Sequence, residues 1–136
     1  MRVILDTCVW SRFLRRDRGR IDPVAREVER LVRADAVQIL GAIRQELLSG
    51  AQPQERFDRL KEHLRFYPNL PLDITDDETA ADYYNCCRQH GIQGSAVDFL
   101  ICAASTRHAL RIFTVDADFA AYARYLPIQL HKSRGA

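Results

Sequence analysis

The chain reads as an α/β domain whose parallel sheet is covered by helices on both faces, and three observations predict this. Short, uniformly apolar runs such as Val3-Ile4-Leu5 have the length and composition of strands buried on both sides. Between them lie longer stretches with apolar residues at helical spacing, so strands and helices alternate. Carboxylates, Asp6 and Asp116, close the first and fourth of the apolar runs, at the edge where parallel sheets present ligand-binding groups.

Taken in order, Val3 to Leu5 is the first strand, and Asp6 sits at its junction with a helix. Thr7 opens that helix, and Val9, Trp10, Phe13 and Leu14 form one face of it. Arg18-Gly19-Arg20 marks a loop. Asp22-Pro23 then starts a second helix, with Asp as cap and Pro in the first turn, and Val24, Val28, Leu31 and Val32 make its apolar stripe. Val37 to Leu40 reads as a second strand broken at Gly41, Ala42 to Ser49 as a helix ending at Gly50, and Pro53 as the start of another carrying Phe57, Leu60 and Leu64. Leu70, Leu72 and Ile74 alternate like a third strand. Thr75-Asp76-Asp77-Glu78 has a capping-box pattern, opening a helix through Ala80, Ala81, Tyr84 and Cys87 to Gly91. Gly94 and Ser95 precede a strongly apolar helix with Val97, Leu100, Ile101 and Ala104. Arg111 to Val115 is a fourth strand, Asp118 to Tyr125 a short helix, and Ile128 to Leu130 a fifth, edge strand. No repeat or linker divides residues 1–136, so a single domain is expected.

Composition narrows the function. Hydrophobic residues make up 47% and charged residues 28%, a globular balance. No apolar run approaches the ~20 residues of a membrane span, and no basic, apolar leader precedes Val3, so a cytoplasmic protein is expected. Cys8, Cys86, Cys87 and Cys102 form no CxxC pair, and His63, His90, His108 and His131 are not spaced to complete a zinc site. Formal charge is only +2, but Lys61 and Lys132 are the only lysines and every other basic residue is arginine. The planar guanidinium fork suits phosphate. The densest group is Arg12, Arg15, Arg16, Arg18 and Arg20; Arg12 and Arg15 are its expected nucleic-acid contacts, the plainer reading being a solvated helix end and loop.

The acids carry the chemistry. If the first and fourth strands are neighbours, Asp6 and Asp116 emerge on one edge of the sheet, with Asp118 two residues further on. Asp98, in the first turn of the apolar helix, can face the same crevice, and Glu46 lies beside Ile43 and Leu47 on the helix after strand two. Each acid alone reads as a helix cap or a solvated residue. Together they would repel unless a cation sat among them. Oxygen ligands without thiolate or imidazole select a hard ion, Mg2+ or Mn2+, able to activate water against a phosphodiester. Thr7 and Thr114 stand beside the acids as supporting hydroxyls.

From VILDTCVW through IRQELLSG and GSAVDFLICAAS to IFTVDADF, the chain resembles PIN-domain proteins, and specifically the VapC ribonuclease toxins of type II toxin–antitoxin pairs. The resemblance implies a three-layer α/β/α fold with strand order 3-2-1-4-5. It implies Mg2+ or Mn2+ bound by Asp6, Glu46, Asp98 and Asp116 with Asp118 assisting, and a metal-dependent endoribonuclease acting on RNA, tRNA or another structured RNA. A homodimer neutralised by a cognate VapB-type antitoxin is implied as well. Two other readings compete: a catalytically silent binding module, and a receiver-like phosphoacceptor domain, for which Lys132 lies awkwardly close to the end of the chain.

Overall fold

The computed structural model describes residues 1–15 and 22–133; the arginines at positions 16, 18 and 20 of the expected basic loop lie outside them. Three parallel strands, β1 (Val3–Leu5), β2 (Val37–Gln38) and β3 (Arg111–Phe113), form a sheet ordered β2-β1-β3. In register, Val3 faces Val37 on one side and Arg111 on the other, and Leu5 faces Phe113. Among the described residues seven helices, α1 (Thr7–Arg15), α2 (Pro23–Arg33), α3 (Gly41–Leu48), α4 (Gln54–Leu64), α5 (Ile74–Gln89), α6 (Ala96–Arg107) and α7 (Asp118–Tyr122), connect and cover it. β1 is buried throughout, as its apolar triplet requires of a central strand. Trp10, Phe99, Phe119 and Tyr122 are the largest side chains wholly inside the core around it.

Five strands are expected from the sequence, and the described residues form three. The third and fifth shrink to single parallel bridges, Ile39 with Asn69 and Ile112 with Leu130. Those bridges lie outside β2 and β3, so the chain still passes the sheet positions in the order 3-2-1-4-5. The reason is hydrogen-bond supply. The Leu70 N–H donates to the Ile39 carbonyl at 2.9 Å, but the neighbouring chain turns into α3 at Gly41, so no extended partner remains to continue the ladder. Ile74, read as the end of that strand, is instead the exposed first residue of α5.

The capping box also sits two residues earlier than the sequence pattern suggests. Asp73 is the N-cap; its carboxylate accepts the Asp76 N–H, and the Asp76 carboxylate accepts the Asp73 N–H. Helix ends elsewhere fall close to expectation. Asp22 caps α2 by accepting the Val24 N–H, and the chain turns out of α3 and α5 through Gly50 and Gly91 at positive φ.

A buried ion cluster ties the last segment to α2. Glu27, 4% exposed, accepts from Arg30 Nε and Nη2, each at 2.8 Å, and lies 2.6 Å from His131 Nε2. The Arg30 hydrogen bond is the main reason that the Glu27 carboxyl falls from 4.5 to about 2. A carboxyl depressed in the folded state adds stability above its unfolded pKa and loses it as pH falls through the folded value. Denaturant midpoints of the wild type and Glu27→Gln are therefore expected to differ most above about pH 5 and to converge as pH drops toward 2.

Candidate functional site

The site grows from the carboxyl ends of β1 and β3. Asp6 follows β1 directly, and its backbone carbonyl accepts the Val9 and Trp10 N–H groups, so the same residue begins α1. Its carboxylate is nearly buried, 6% exposed, and three donors converge on it: the Thr7 N–H on Oδ1 at 2.7 Å, and Thr114 Oγ1 at 2.8 Å and Cys8 Sγ at 3.3 Å on Oδ2. A carboxylate this deep is tolerable because charged acceptors form the stronger hydrogen bonds.

Thr114 joins the two strand ends. Its hydroxyl donates to Asp6 and accepts the Asp116 N–H at 2.9 Å, and Asp116 Oδ1 in turn accepts the Asp118 N–H at 2.9 Å. Thr7 serves Glu46 in a similar way, its hydroxyl donating to Oε1 at 3.0 Å across 39 residues of chain. Glu46 is held there because Arg44, two residues earlier on α3, is anchored by Asn69 Oδ1 at 2.8 Å and by the Leu64 and Tyr67 carbonyls. Asp98 enters from the first turn of α6, where its N–H donates to the Ser95 hydroxyl at 3.1 Å.

Ligand oxygens of Asp98, Asp116 and Asp118 all lie within 4.8 Å of one another. Asp6 and Glu46 fall outside this trio; Thr114 links Asp6 to the Asp116 backbone, and Thr7, the residue after Asp6, bonds Glu46. At such separations a like-charge pair costs between about 1 kcal/mol in water and about 3.5 kcal/mol at an effective dielectric of 20. Asp116 and Asp118 are exposed, which places the cost toward the lower end. The donor set fits a hard divalent ion, being three carboxylates with neither thiolate nor imidazole among them. Cys8 does not change this, since burial, reinforced by Asp6, pushes its thiol pKa up and keeps it protonated at neutral pH.

A helix-start role also holds for Asp6 and Asp116. Asp6 accepts the N–H that opens α1, and Asp116 accepts the first N–H of α7. In a parallel sheet the strand ends and the following helix starts coincide, so a cap and a ligand can be one residue.

The two expected nucleic-acid contacts lie on α1, with different surroundings. Arg12 is forked onto Asp22, Nη2 to Oδ1 at 2.8 Å and Nε to Oδ2 at 3.2 Å, which occupies part of its donor set. Arg15 is exposed. Both line a groove of about 820 Å3 together with Arg56, Arg59 and His63 of α4 and with Cys8, whose thiol donates to Asp6. The α4 residues were not singled out from the sequence, although positions 56, 59 and 63 share one helical face. Tyr122 is a second residue whose role local pattern does not reveal. Its hydroxyl donates to Asp98 Oδ2 at 2.6 Å.

Among the described residues no helix is long and apolar enough to cross a membrane. No curated protein is significantly similar in sequence. Among solved structures the chain is similar to FitAcB from Neisseria gonorrhoeae, at 22% identity and a TM-score of 0.76, covering 96% of this chain and 97% of that one. It is similar to VapBC2 from Rickettsia felis bound to a promoter DNA fragment, at 15% identity and a TM-score of 0.77, covering 96% and 98%. A toxin-antitoxin complex from Klebsiella pneumoniae matches at 21% identity and a TM-score of 0.61, covering 87% and 90%. At these identities the likeness establishes the fold. The sequence itself matches the PIN domain over residues 3–125, and the chain therefore belongs to the PIN domain family.

Proposed function

We propose that the chain is a Mg2+- or Mn2+-dependent endoribonuclease of the VapC toxin type, which inhibits translation by cutting RNA and is silenced by a cognate VapB-type antitoxin. The observation that carries this reading is the convergence of Asp98, Asp116 and Asp118, with Asp6 and Glu46 hydrogen-bonded alongside, at the carboxyl edge of the sheet. Asp98, Asp116 and Asp118 would hold the ion, and Asp6 and Glu46 would complete its surroundings. When bound, such an ion lowers the pKa of a water and neutralises charge developing on a phosphodiester. The protein's own part is to position. Thr114 fixes Asp6 relative to Asp116, Thr7 fixes Glu46, and Asp6 and Glu46 are placed to accept a proton from an attacking water. The similar structures include a toxin-antitoxin complex, which supports an antitoxin partner, and a homodimer is part of the same reading.

Purified protein is expected to cleave RNA, tRNA included, in the presence of Mg2+ or Mn2+ and to stop with EDTA. Cleavage unaffected by chelation would overturn the metal mechanism. The groove between α1 and α4 leads RNA past the acids, with Arg15, Arg56 and Arg59 on phosphates and Arg12 shared with Asp22. Replacing Arg56 and Arg59 by alanine should weaken RNA binding in EDTA and reduce the slope of log K against log salt by about 1–2. An unchanged slope in fluorescence anisotropy would place the RNA elsewhere.

A further inference from the structure

Tyr122 is wholly buried, clasped between the rings of Phe99 and Phe119 at centroid distances of 4.8 and 5.1 Å. A buried phenol hydroxyl needs an acceptor, and a backbone carbonyl would satisfy it. Here it meets a carboxylate of the acidic trio, Asp98 Oδ2, at 2.6 Å. Access to that partner depends on Gly94. A Cβ there would stand 2.2 Å from Tyr122 Oη, 2.8 Å from its Cζ and 2.9 Å from Phe99 Cε2. Gly94 is therefore required by space, since its backbone has no positive φ. The donor also comes from the element that supplies another acid: Asp118 and Tyr122 are the first and last residues of α7, four apart and so on one face.

From this geometry we infer that Tyr122, admitted by the notch at Gly94, is a positioning residue for the metal centre, locking the Asp98 carboxylate in the orientation that faces Asp116 and Asp118. The inference rests on the nuclease reading of the acids and adds to it a pair of residues that touch neither ion nor RNA. One carboxylate oxygen is committed to the phenol, which removes the rotamer freedom that Asp98 would lose on binding an ion. Partners of this kind behind a metal ligand change affinity by about 10- to 100-fold. Because α7 carries both Asp118 and the phenol, it sets the distance between two of the three acids.

The test is Mn2+ binding followed by electron paramagnetic resonance on wild type, Tyr122→Phe, Gly94→Ala, Asp98→Asn and the Tyr122→Phe/Asp98→Asn double variant, with melting curves of each metal-free protein. Tyr122→Phe keeps the ring and removes only the donor. It is expected to weaken Mn2+ binding about 10-fold or more while the metal-free protein melts cooperatively close to wild type. Gly94→Ala should reproduce the loss by pushing the phenol away. In the Asp98→Asn background Tyr122→Phe should cost no further affinity, a non-additivity that a purely structural role would not produce. Wild-type binding with Tyr122→Phe within twofold of it overturns this inference and leaves the nuclease reading standing; no Mn2+ binding by the wild type overturns both.

Discussion

Replacing Asp98 by asparagine is expected to lower metal-dependent RNA cleavage by about two to three orders of magnitude, the usual cost of removing one preorganised electrostatic group. The change is nearly isosteric. An amide oxygen still accepts the Tyr122 proton, and the backbone N–H of residue 98 still donates to Ser95, so the start of α6 is preserved. What disappears is one negative charge of the three whose oxygens lie within 4.8 Å of one another. Initial rates on RNA at saturating Mn2+, with a melting curve as the control for folding, check this. A variant that cuts as fast as the wild type would exclude Asp98 from the chemistry.

Asp76→Ala is expected to be the most damaging single change to stability outside the apolar core, at about 2–4 kcal/mol. Asp76 has no exposed surface, and its carboxylate accepts Arg107 Nη1 at 2.6 Å, His108 Nε2 at 3.1 Å and the Asp73 N–H at 2.8 Å. Removing it takes away the reciprocal half of the α5 capping box, leaving the Asp73 cap itself, and two of the contacts that hold the end of α6. Burial works to raise the Asp76 pKa, but the bonds from Asp73, Arg107 and His108 outweigh it and the net direction is down. Its contribution is therefore full above about pH 4 and is lost as pH falls through the folded value. Chemical denaturation should show the full deficit of Asp76→Ala at pH 7 and a shrinking one in acid. A deficit independent of pH would mean that packing, not charge, holds this corner. Because α6 carries Asp98 at its other end, cleavage by the variant should melt away at a correspondingly lower temperature.

The acids were legible in the sequence because their positions follow from a local rule. Asp6 directly follows three apolar residues and precedes a helical stripe, which fixes it at a strand end, and Asp116 repeats the situation after β3. Glu46 and Asp98 were legible only in combination with these, since each alone passes for a helix residue or a cap. The sheet was less readable at its margins. Leu70, Leu72 and Ile74 alternate as a strand should, yet the neighbouring chain leaves the sheet at Gly41, where α3 begins. The capping box expected from Thr75 forms two residues earlier, from Asp73. Arg107 and His108, some 31 and 32 residues away, converge on Asp76 where it pairs with Asp73, and no local pattern contains them. Tyr122 is one aromatic among several in the sequence; its meaning comes from a missing side chain at Gly94, 28 positions earlier, which only packing exposes. Arg56, Arg59 and His63 were passed over because a charged face on α4 looks like any solvated helix until α1 is set opposite it.

The most direct test of the account is anomalous diffraction from crystals soaked in Mn2+. A manganese peak is expected in direct contact with oxygens of Asp98, Asp116 and Asp118, with Asp6 and Glu46 bordering it. At saturating Mn2+, a peak elsewhere or none at these three carboxylates would contradict it.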